Sequence, residues 1–364
     1  MKRAPEQIVS LKDVPAKTLP SFWKDDKYYV LDQLLLPENI KYIECSSPEN
    51  VAETIRNMNL RGAPLIGAAG SAAVALYFND ASIPKDAFNA LLKMLLETRP
   101  TAVNLKNVLE EIKDTYERNS HLQGKELYNL FRSFSEFVHK RDEERNFKMG
   151  ENGAVFLESL FNGKKLRILT HCNAGALATC GYGTALGVIR SLNRRNLIEH
   201  VWVDETRPYL QGSRLTAFEM VSENILHTVI TDSTAAWLMH KKKIDAVITG
   251  ADRVAANGDL ANKIGTYSLA VNAHHHGIPF LAAMPLETFD RNIPDGHFIV
   301  IEERNDEELL VFNGKRIAPE LSKGLHLGFD VVPVSLVTAL VTEKKVLKKD
   351  ITQEAISGLF NEDS

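Results

Sequence analysis

The first part of the chain repeats its apolar and polar positions with the period of a helix. Apolar side chains recur three or four positions apart in residues 85–96, 101–119 and 127–138, and residues 51–58 and 61–78 also favour helices. Residues 61–78, RGAPLIGAAGSAAVALYF, are rich in small side chains, so we expect this helix to pack closely on its neighbours. Two β-rich patches, YYVLDQLLLP and IKYIEC, precede the helices. The pattern predicts a mostly helical domain with a small sheet.

From Leu166 onward the pattern changes. The short apolar runs LRILTH, HVWVDE, HTVITD, DAVITGA and PFLAAMP alternate with helix-like stretches, which is typical of a doubly wound, mostly parallel sheet. The charged run HKRDEERNFK at 139–148 predicts a helix that leads out of the first domain. We therefore predict an α/β protein with an N-terminal helical and small-sheet domain at 1–150 and a Rossmann-like catalytic domain at 151–364.

Polar residues with useful chemistry cluster where the predicted strands end. They are His171, Cys172, Asp204, Glu205, Asp232 and Asp252. Ligands of open α/β sheets bind in the crevice at the carboxyl ends of the strands. The sequence therefore places a candidate site along this edge.

Composition narrows the possible functions. Of the 364 residues, 44% are hydrophobic and 25% are charged, as in an ordinary soluble globular protein. The net charge of −4 argues against a general nucleic-acid binder. No run approaches the length of a membrane span, and the N-terminus lacks a signal peptide. Three cysteines indicate free thiols in a reducing compartment, so we expect a cytoplasmic protein.

Asp252 follows the apolar run that ends at Ile248, and Asn262 and Lys263 come ten residues later, where we predict the start of a helix. A carboxylate at a strand end that faces a lysine at a helix start suits a phosphorylated metabolite. Aspartates in this position also serve as turn or capping residues. Asp252 is therefore a candidate acid with a structural alternative.

Cys172 lies in THCNAGALATCGYGTALG, at a predicted strand-to-helix junction where a helix N-terminus favours a thiolate. The alternative is a buried small hydrophobe, which we prefer for Cys180. The cysteines lack zinc-ligand spacing. Gly181 and Gly183 form a GxG, but we predict them inside a helix well past the strand, so the turn that binds a nicotinamide dinucleotide is not indicated.

Arg61, followed by Gly62 and Ala63, precedes a predicted helix start, as does Arg99. With Lys263 these arginines are candidates for a phosphate clamp.

Gln211, beside Gly212, is a candidate for binding sugar hydroxyls or phosphate. The run His274–His276 looks like a metal tract, but we predict a helix end there, stopped by Gly277.

Taken together, these motifs closely resemble the family that comprises the methylthioribose-1-phosphate isomerases and the regulatory subunits of the translation-initiation guanine-nucleotide exchange factor. The resemblance is carried in order by LDQLLLP (31–37), RGAPLIGAAG, TRPTAVNL (98–105), THCNAG, DETRPYLQGSRLTAFE, TGADRVAANGDLANKIGTY and FDVVPVSLVTALVTE (329–343). It spans nearly the whole chain, and the ordered combination is specific although short motifs such as RGAP are not.

The resemblance implies an aldose–ketose isomerase that converts 5-methylthioribose 1-phosphate to 5-methylthioribulose 1-phosphate in methionine salvage. It implies Asp252 as proton donor and Cys172 as the group that assists the transition state. The substrate-binding residues it implies are Arg61, Gly62, Ala63, Arg99, Gln211, Asn262 and Lys263. It further implies a homodimer with no metal and no organic cofactor.

Two alternatives remain from the same family. A ribose-1,5-bisphosphate isomerase performs analogous chemistry but needs a second basic cluster for the phosphate at C5. A regulatory subunit with this fold is an interaction protein and need not keep Cys172 and Asp252 together with the phosphate clamp. All of these residues are present here, which favours the enzyme.

Overall fold

The computed structural model describes residues 18–79, 85–99, 102–301, 303–312, 314–348 and 351–361. The chain divides into two compact units. The first comprises residues up to 147 together with residues 174–183, and the second comprises residues 148–173 and the residues from 184 onward. No helix in the described ranges combines the length and hydropathy needed to cross a bilayer.

The first unit contains an antiparallel sheet and a group of helices. The strands, in spatial order, are β1 (Ser21–Lys24), β2 (Lys27–Leu31) and β3 (Tyr42–Cys45). The helices are α1 (Pro48–Arg56), α2 (Ala63–Phe78), α3 (Lys85–Leu96), α4 (Val103–Arg118) and the start of α5 (Lys125–Leu160). The predicted helices and small sheet are present, and Thr101, the predicted start of the fourth helix, lies outside the described residues. The charged run at 139–148 lies within α5, which continues into the second unit.

Small residues let α2 pack closely on α4. A Cβ at Gly70 would lie 2.5 Å from Cδ1 of Leu105, and one at Gly67 would lie 3.1 Å from the carbonyl oxygen of Asn104. Because α2 is buried on nearly every side, small residues are needed all around it rather than along one stripe. The predicted close packing of this helix is confirmed.

Residues 174–183 form a tight loop within the first unit, and the predicted helix around Gly181 and Gly183 is wrong. Both glycines have positive φ, at 139° and 88°, and Gly183 forms an isolated β-bridge with Gly175. A Cβ at Gly183 would lie 2.5 Å from Cα of Gly175, so two parts of the loop are in close backbone contact. This arrangement is incompatible with a helix through these glycines.

The second unit contains the remaining strands and helices. Its strands are β4 (Leu166–Thr170), β5 (Ile198–Asp204), β6 (His227–Ile230), β7 (Ala246–Thr249), β8 (Arg253–Ala255), β9 (Leu260–Lys263), β10 (Phe280–Ala283), β11 (Phe289–Asp290), β12 (Glu303–Arg304), β13 (Val311–Phe312), β14 (Lys315–Arg316), β15 (His326–Leu327), β16 (Phe329–Val332), β17 (Ala339–Val341) and β18 (Val346–Lys348). Its helices, besides the end of α5, are α6 (Ala185–Arg194), α7 (Ala217–Ser222), α8 (Thr234–His240), α9 (Thr266–His275), α10 (Glu307–Leu310) and α11 (Gln353–Ser357).

A seven-stranded sheet forms the centre of this unit, in the order β18-β17-β10-β7-β4-β5-β6. Its neighbours are parallel except for the β17–β18 pair. The five apolar runs of the sequence form β4, β5, β6, β7 and β10. Leu169 and Val247 of the sheet share an apolar core with Met239 of α8 and Leu269 of α9. The predicted doubly wound, mostly parallel architecture is confirmed.

A smaller sheet, in the order β11-β8-β9-β16, follows the carboxyl end of β7. Its central hairpin joins β8 to β9 through a turn in which the Asn257 side chain accepts the Asp259 N–H at 2.9 Å. Gly258 occupies the turn with φ of 96°, a conformation that side chains with a Cβ disfavour. This hairpin sets the position of the candidate residues Asp252, Asn262 and Lys263.

Candidate active site

Three polar side chains form a row across the sheet of the second unit. Thr170 pairs with Val203 of β5 and with Ile248 of β7. The residues that follow, His171, Asp204 and Thr249, therefore lie level on three neighbouring strands at their carboxyl ends. This edge is where open α/β sheets bind ligands.

His171 is held at both ring nitrogens. Nδ1 lies 2.9 Å from Oδ2 of Asp204, and Nε2 lies 2.9 Å from the carbonyl oxygen of Ile264. The side chains of His171 and Asp204 are each only 1% exposed. Because a carbonyl only accepts and an ionised carboxylate only accepts, both ring nitrogens act as donors when Asp204 is ionised. The arrangement favours an imidazolium facing a carboxylate.

The titration of the pair agrees with this assignment. Burial lowers the pKa of His171, but the hydrogen bond and charge of Asp204 outweigh it, so the pKa lies above its usual value. Burial raises the pKa of Asp204 from 3.8 to about 6. The two shifts have a common cause, because the charge and hydrogen bond of Asp204 favour the protonated form of His171.

Asp232 lies near the pair but has its own hydrogen bonds. Ligand atoms of His171, Asp204 and Asp232 lie within 4.8 Å of one another, which is a spacing that could hold a metal ion. Both oxygens of Asp232 accept backbone N–H groups, from Thr206 at 2.7 Å and from Arg207 at 2.8 Å. Since both nitrogens of His171 are also bonded, we interpret the cluster as a hydrogen-bonded network that fixes the loop after β5.

Cys172 follows His171 in a strained backbone conformation. Its φ is 61°, in the left-handed region that costs a residue with a Cβ about 1–2 kcal/mol. Its N–H donates to Oγ1 of Thr206 at 2.8 Å, and its carbonyl accepts from Oγ1 of Thr216 at 2.6 Å. The side chain is half-buried and outside any disulfide. Strain of this kind, held by surrounding bonds, is characteristic of functional positions.

The prediction that Cys172 lies at a helix N-terminus is wrong. The chain continues into a short 3₁₀ turn at Ala176–Ala178, and α6 begins only at Ala185. The left-handed backbone at Cys172 and the extended backbone at Gly175 prevent a helix from starting after β4. Any stabilisation of a thiolate here therefore comes from neighbouring groups other than the N-terminus of α6.

Gln211 is buried where the loop after β5 passes into a π-helical turn at Gly212–Thr216. This loop turns back on β5 so closely that a Cβ at Gly212 would overlap the carbonyl oxygen of Asp204. Gln211 is 5% exposed, and none of the described residues hydrogen-bonds to its Oε1. The same holds for the buried atoms Oδ1 of Asp204 and Oγ1 of Thr249. Buried polar atoms without protein partners are suited to binding a polar ligand.

The hairpin β8–β9 carries the second group of predicted site residues. Asp252 lies just before β8, where its N–H donates to the carbonyl of Ala261 at 2.9 Å, and its side chain is exposed. Asn262 is buried and donates from Nδ2 to Oγ1 of Thr266 at 2.9 Å. Asp252 is thus placed next to the strand that carries Asn262 and Lys263.

The predicted helix start at Asn262 and Lys263 is wrong. Both residues belong to β9, which pairs with β16, and α9 begins at Thr266 after Gly265. Gly265 has φ of 104°, so it makes the turn between strand and helix. Lys263 donates from Nζ to the carbonyl of Gly328 at 3.0 Å and lies 4.7 Å from the ring centroid of Phe329.

The N-terminus of α9 is capped by a carboxylate of the protein. Asp330 accepts the N–H groups of Gly265 at 2.7 Å and of Tyr267 at 3.0 Å. Burial raises the pKa of Asp330 above its usual value although these N–H groups lower it. Asp330 therefore occupies two of the N–H donors around the start of α9, and its negative charge opposes an anion at these two groups.

Arg61, Gly62, Ala63 and Arg99 all belong to the first unit. Gly62 precedes α2 with φ of 101°, and no side chain caps this helix. A Cβ at Gly62 would overlap the backbone of Ala178, so only glycine fits there. The guanidinium of Arg99 lies 2.9 Å from Sδ of Met58.

The structure also locates the histidine run. The helix α9 ends at His275, and Gly277 follows with φ of 66°. The predicted helix end is confirmed. The strand-end positions of His171 and Asp204 could be predicted from the apolar runs, but their pairing could not, and no sequence pattern indicated a role for Thr249 or Asp330.

The fold and the strand-end site define an α/β protein of the type that binds small ligands at the carboxyl edge of a parallel sheet. The family model described as "Initiation factor 2 subunit family" matches residues 59–349. The chain belongs to this family.

Two kinds of relative appear among the similar proteins. The methylthioribose-1-phosphate isomerase of Caldicellulosiruptor saccharolyticus is 48% identical over 329 residues, which are 89% of this chain and 94% of the relative. The crystal structure of 5-methylthioribose 1-phosphate isomerase from Pyrococcus horikoshii OT3 is 39% identical with a TM-score of 0.88, covering 97% of this chain and 98% of that one. The structure of translation initiation factor eIF-2B subunit delta from A. fulgidus is also 39% identical, with a TM-score of 0.82 and coverage of 93% and 98%.

Proposed function

We propose that the chain is an aldose–ketose isomerase that converts 5-methylthioribose 1-phosphate to 5-methylthioribulose 1-phosphate, a step of methionine salvage. Similarity to isomerases over about nine-tenths of the chain supports the proposal. One structural observation favours catalysis over a purely structural role. Cys172 keeps a strained left-handed backbone at the carboxyl edge of the sheet, and an interaction protein has no evident need for that strain.

The chemistry assigns complementary tasks to Asp252 and Cys172. Phosphate on the anomeric oxygen prevents the ring opening that a free sugar undergoes. Asp252 donates a proton to the ring oxygen as the C1–O bond breaks, and hydrogen then moves from C2 to C1. The C2 hydroxyl releases its proton as it becomes the ketose carbonyl, and this proton restores the acid form of Asp252. Cys172 assists that transfer. Since the Asp252 side chain is exposed, the proposal requires the bound substrate to exclude water from it.

The remaining residues bind the substrate in this proposal. Gln211 presents its buried Oε1 to a sugar hydroxyl, which can donate to it. Asn262 and Lys263 position the substrate from β9. Arg61, Gly62, Ala63 and Arg99 are assigned to substrate binding from the family resemblance, because cationic side chains and free helix N–H groups suit a phosphate.

Activity on two substrates tests the proposal. Purified protein is assayed with 5-methylthioribose 1-phosphate and with ribose 1,5-bisphosphate, alongside Asp252→Asn and Cys172→Ser. We expect turnover of the first substrate, nearly abolished in both variants while circular dichroism stays unchanged. Preference for the bisphosphate would instead identify a bisphosphate isomerase. No turnover of either substrate would point to a regulatory subunit of the same fold; the A. fulgidus relative is named as translation initiation factor eIF-2B subunit delta.

We also propose that the enzyme is a cytoplasmic homodimer without metal or organic cofactor, as the family resemblance implies. Sedimentation equilibrium gives the oligomeric state, with twice the chain mass of 40.6 kDa expected. Activity that survives dialysis against EDTA supports the absence of a metal requirement.

A further inference from the structure

One buried imidazole joins three segments that carry proposed site residues. His171 directly precedes Cys172. Asp204, its partner at Nδ1, begins the loop that leads to Gln211. Ile264, whose carbonyl binds Nε2, directly follows Lys263. His171 itself is not among the residues proposed to contact the substrate.

The ring is also fixed by packing. A Cβ at Gly265 would lie 3.0 Å from Cε1 and 3.1 Å from Nε2 of His171, so the turn between β9 and α9 rests against the imidazole. That turn is bonded in its place by Asp330. A change in the position of the ring would therefore move the turn and, with it, the strand that carries Asn262 and Lys263.

While Asp204 is ionised, both bonds are complete only when the ring carries two protons. Its surroundings are acidic: Asp204 and Ile264 accept from it, and Asp232, Glu205 and Asp330 contribute further negative charge to the pair. Loss of one proton leaves a single ring donor for two acceptors. One of the two links is then broken, either the one to β5 or the one to the turn after β9.

We propose that His171 is a positioning residue of the isomerase site, a buried imidazolium that aligns the segments carrying Cys172, Gln211 and Lys263 through its bonds to Asp204 and Ile264. The proposal rests on the proposed function. It predicts that removing either bond misaligns the reacting groups more than it weakens substrate binding, because reaction rates depend steeply on the geometry of the reacting groups.

Two substitutions remove one bond each. In His171→Asn the amide nitrogen stands near the position of Nδ1 and keeps the bond to Asp204. In His171→Gln the amide nitrogen stands near Nε2 and keeps the bond to Ile264. We expect each variant to lose about tenfold or more in kcat with a smaller change in KM. His200→Gln is the matched control, because His200 lies on β5 and its ring hydrogen-bonds to Thr228 of β6, away from the proposed site residues; its kcat should equal that of the wild type.

The pH profile separates alignment from folding. In the wild type kcat should fall as pH rises through the titration of His171. In Asp204→Asn a neutral ring keeps both bonds, because the new amide donates to Nδ1 while Nε2–H donates to Ile264. This variant should therefore stay active and lose the alkaline fall. A profile for Asp204→Asn identical to that of the wild type would overturn the proposal.

The protonation state is measured without activity. Nitrogen-15 NMR of the imidazoles, with His171→Gln used for assignment, should show both ring nitrogens of His171 protonated at pH 7. A neutral ring at pH 7 would refute the inference whatever the function proves to be. One set of results would refute this inference and leave the proposed function intact. In that set the wild type is active, Asp252→Asn is inactive, and both His171 variants keep the kcat of the wild type. If the wild type is inactive on both sugars, the function fails and the NMR result decides the state of the pair.

Discussion

The strain at Cys172 predicts an unusual order of stabilities among its variants. A residue with a Cβ in the left-handed region costs about 1–2 kcal/mol, and Cys172 has φ of 61°. Glycine adopts this conformation without that cost, although it loses about 0.5–1 kcal/mol of additional conformational freedom on folding. The first effect exceeds the second. The methyl group that glycine lacks is half-buried here and contributes about 0.4 kcal/mol, half the value of a fully buried one. We therefore expect Cys172→Gly to be more stable than Cys172→Ala by about 0.4 kcal/mol.

Cys45 provides a matched control within the same chain. It is fully buried and lies at the end of β3, where it pairs with Tyr28 in regular strand conformation. There glycine has no strain to relieve and loses about 0.5–1 kcal/mol to alanine, plus about 0.8 kcal/mol for the missing buried methyl group. Cys45→Gly should be less stable than Cys45→Ala, the reverse of the order at Cys172.

The assay compares urea midpoints of the four variants at equal m-values, followed by isomerase activity. Both Cys172 variants should be inactive because neither has a thiol, so the gain in stability from glycine comes with loss of function. Equal stability of the two Cys172 variants, or a more stable alanine, would falsify the view that the backbone at this position is strained. If the glycine variant were more stable than the alanine variant at Cys45 as well, the effect would not be specific to the backbone of Cys172.

Three further changes test other parts of the structure. Gln211→Leu should reduce kcat/KM at least about tenfold without lowering stability, because it removes a substrate contact along with a buried unpaired oxygen; a variant with wild-type kinetics would contradict the assignment. Gly62→Ala should destabilise the first unit and lower activity, because its Cβ would overlap Ala178; calorimetry measures the loss. Asp245 has its pKa lowered from 3.8 to about 2, since its bonds to Arg167 and to a lysine outweigh burial. The ionised Asp245 therefore contributes about 2 kcal/mol to the free energy of unfolding, and this contribution is present above pH 4 and lost as pH falls through 2. Asp245→Asn should be less stable than the wild type at pH 7, and urea unfolding should show no difference between them below pH 2.

The periodicity of the sequence predicted the elements well because burial alone sets it. The run AVI at 246–248 is apolar throughout since β7 is covered on both faces of a parallel sheet, and a short continuous apolar run of this kind favours a buried strand. The loop at 174–183 escaped prediction for the opposite reason. Its course depends on the close approach of Gly183 to Gly175, where a Cβ on Gly183 would lie 2.5 Å from Cα of Gly175. Such a contact leaves no periodic signal in the sequence.

The candidate site shows the same division between local and long-range information. That Cys172 and Asp252 follow strands was readable from the chain, because each stands directly after an apolar run. The strand conformation of Asn262 and Lys263 was not, since it depends on pairing with β16, about 65 residues away along the chain. Short strands of this kind are set by their partners rather than by their own composition.

The correction at Lys263 also changes what the site requires. If the lysine began a helix, its charge and the helix N-terminus would bind the same anion. Asp330 instead occupies the N–H groups at the start of α9, and its negative charge opposes an anion there. Lys263, held on β9 by Gly328, then acts as a single cation without support from the dipole of α9. An anion bound at Lys263 therefore gains nothing from the two N–H groups that Asp330 occupies.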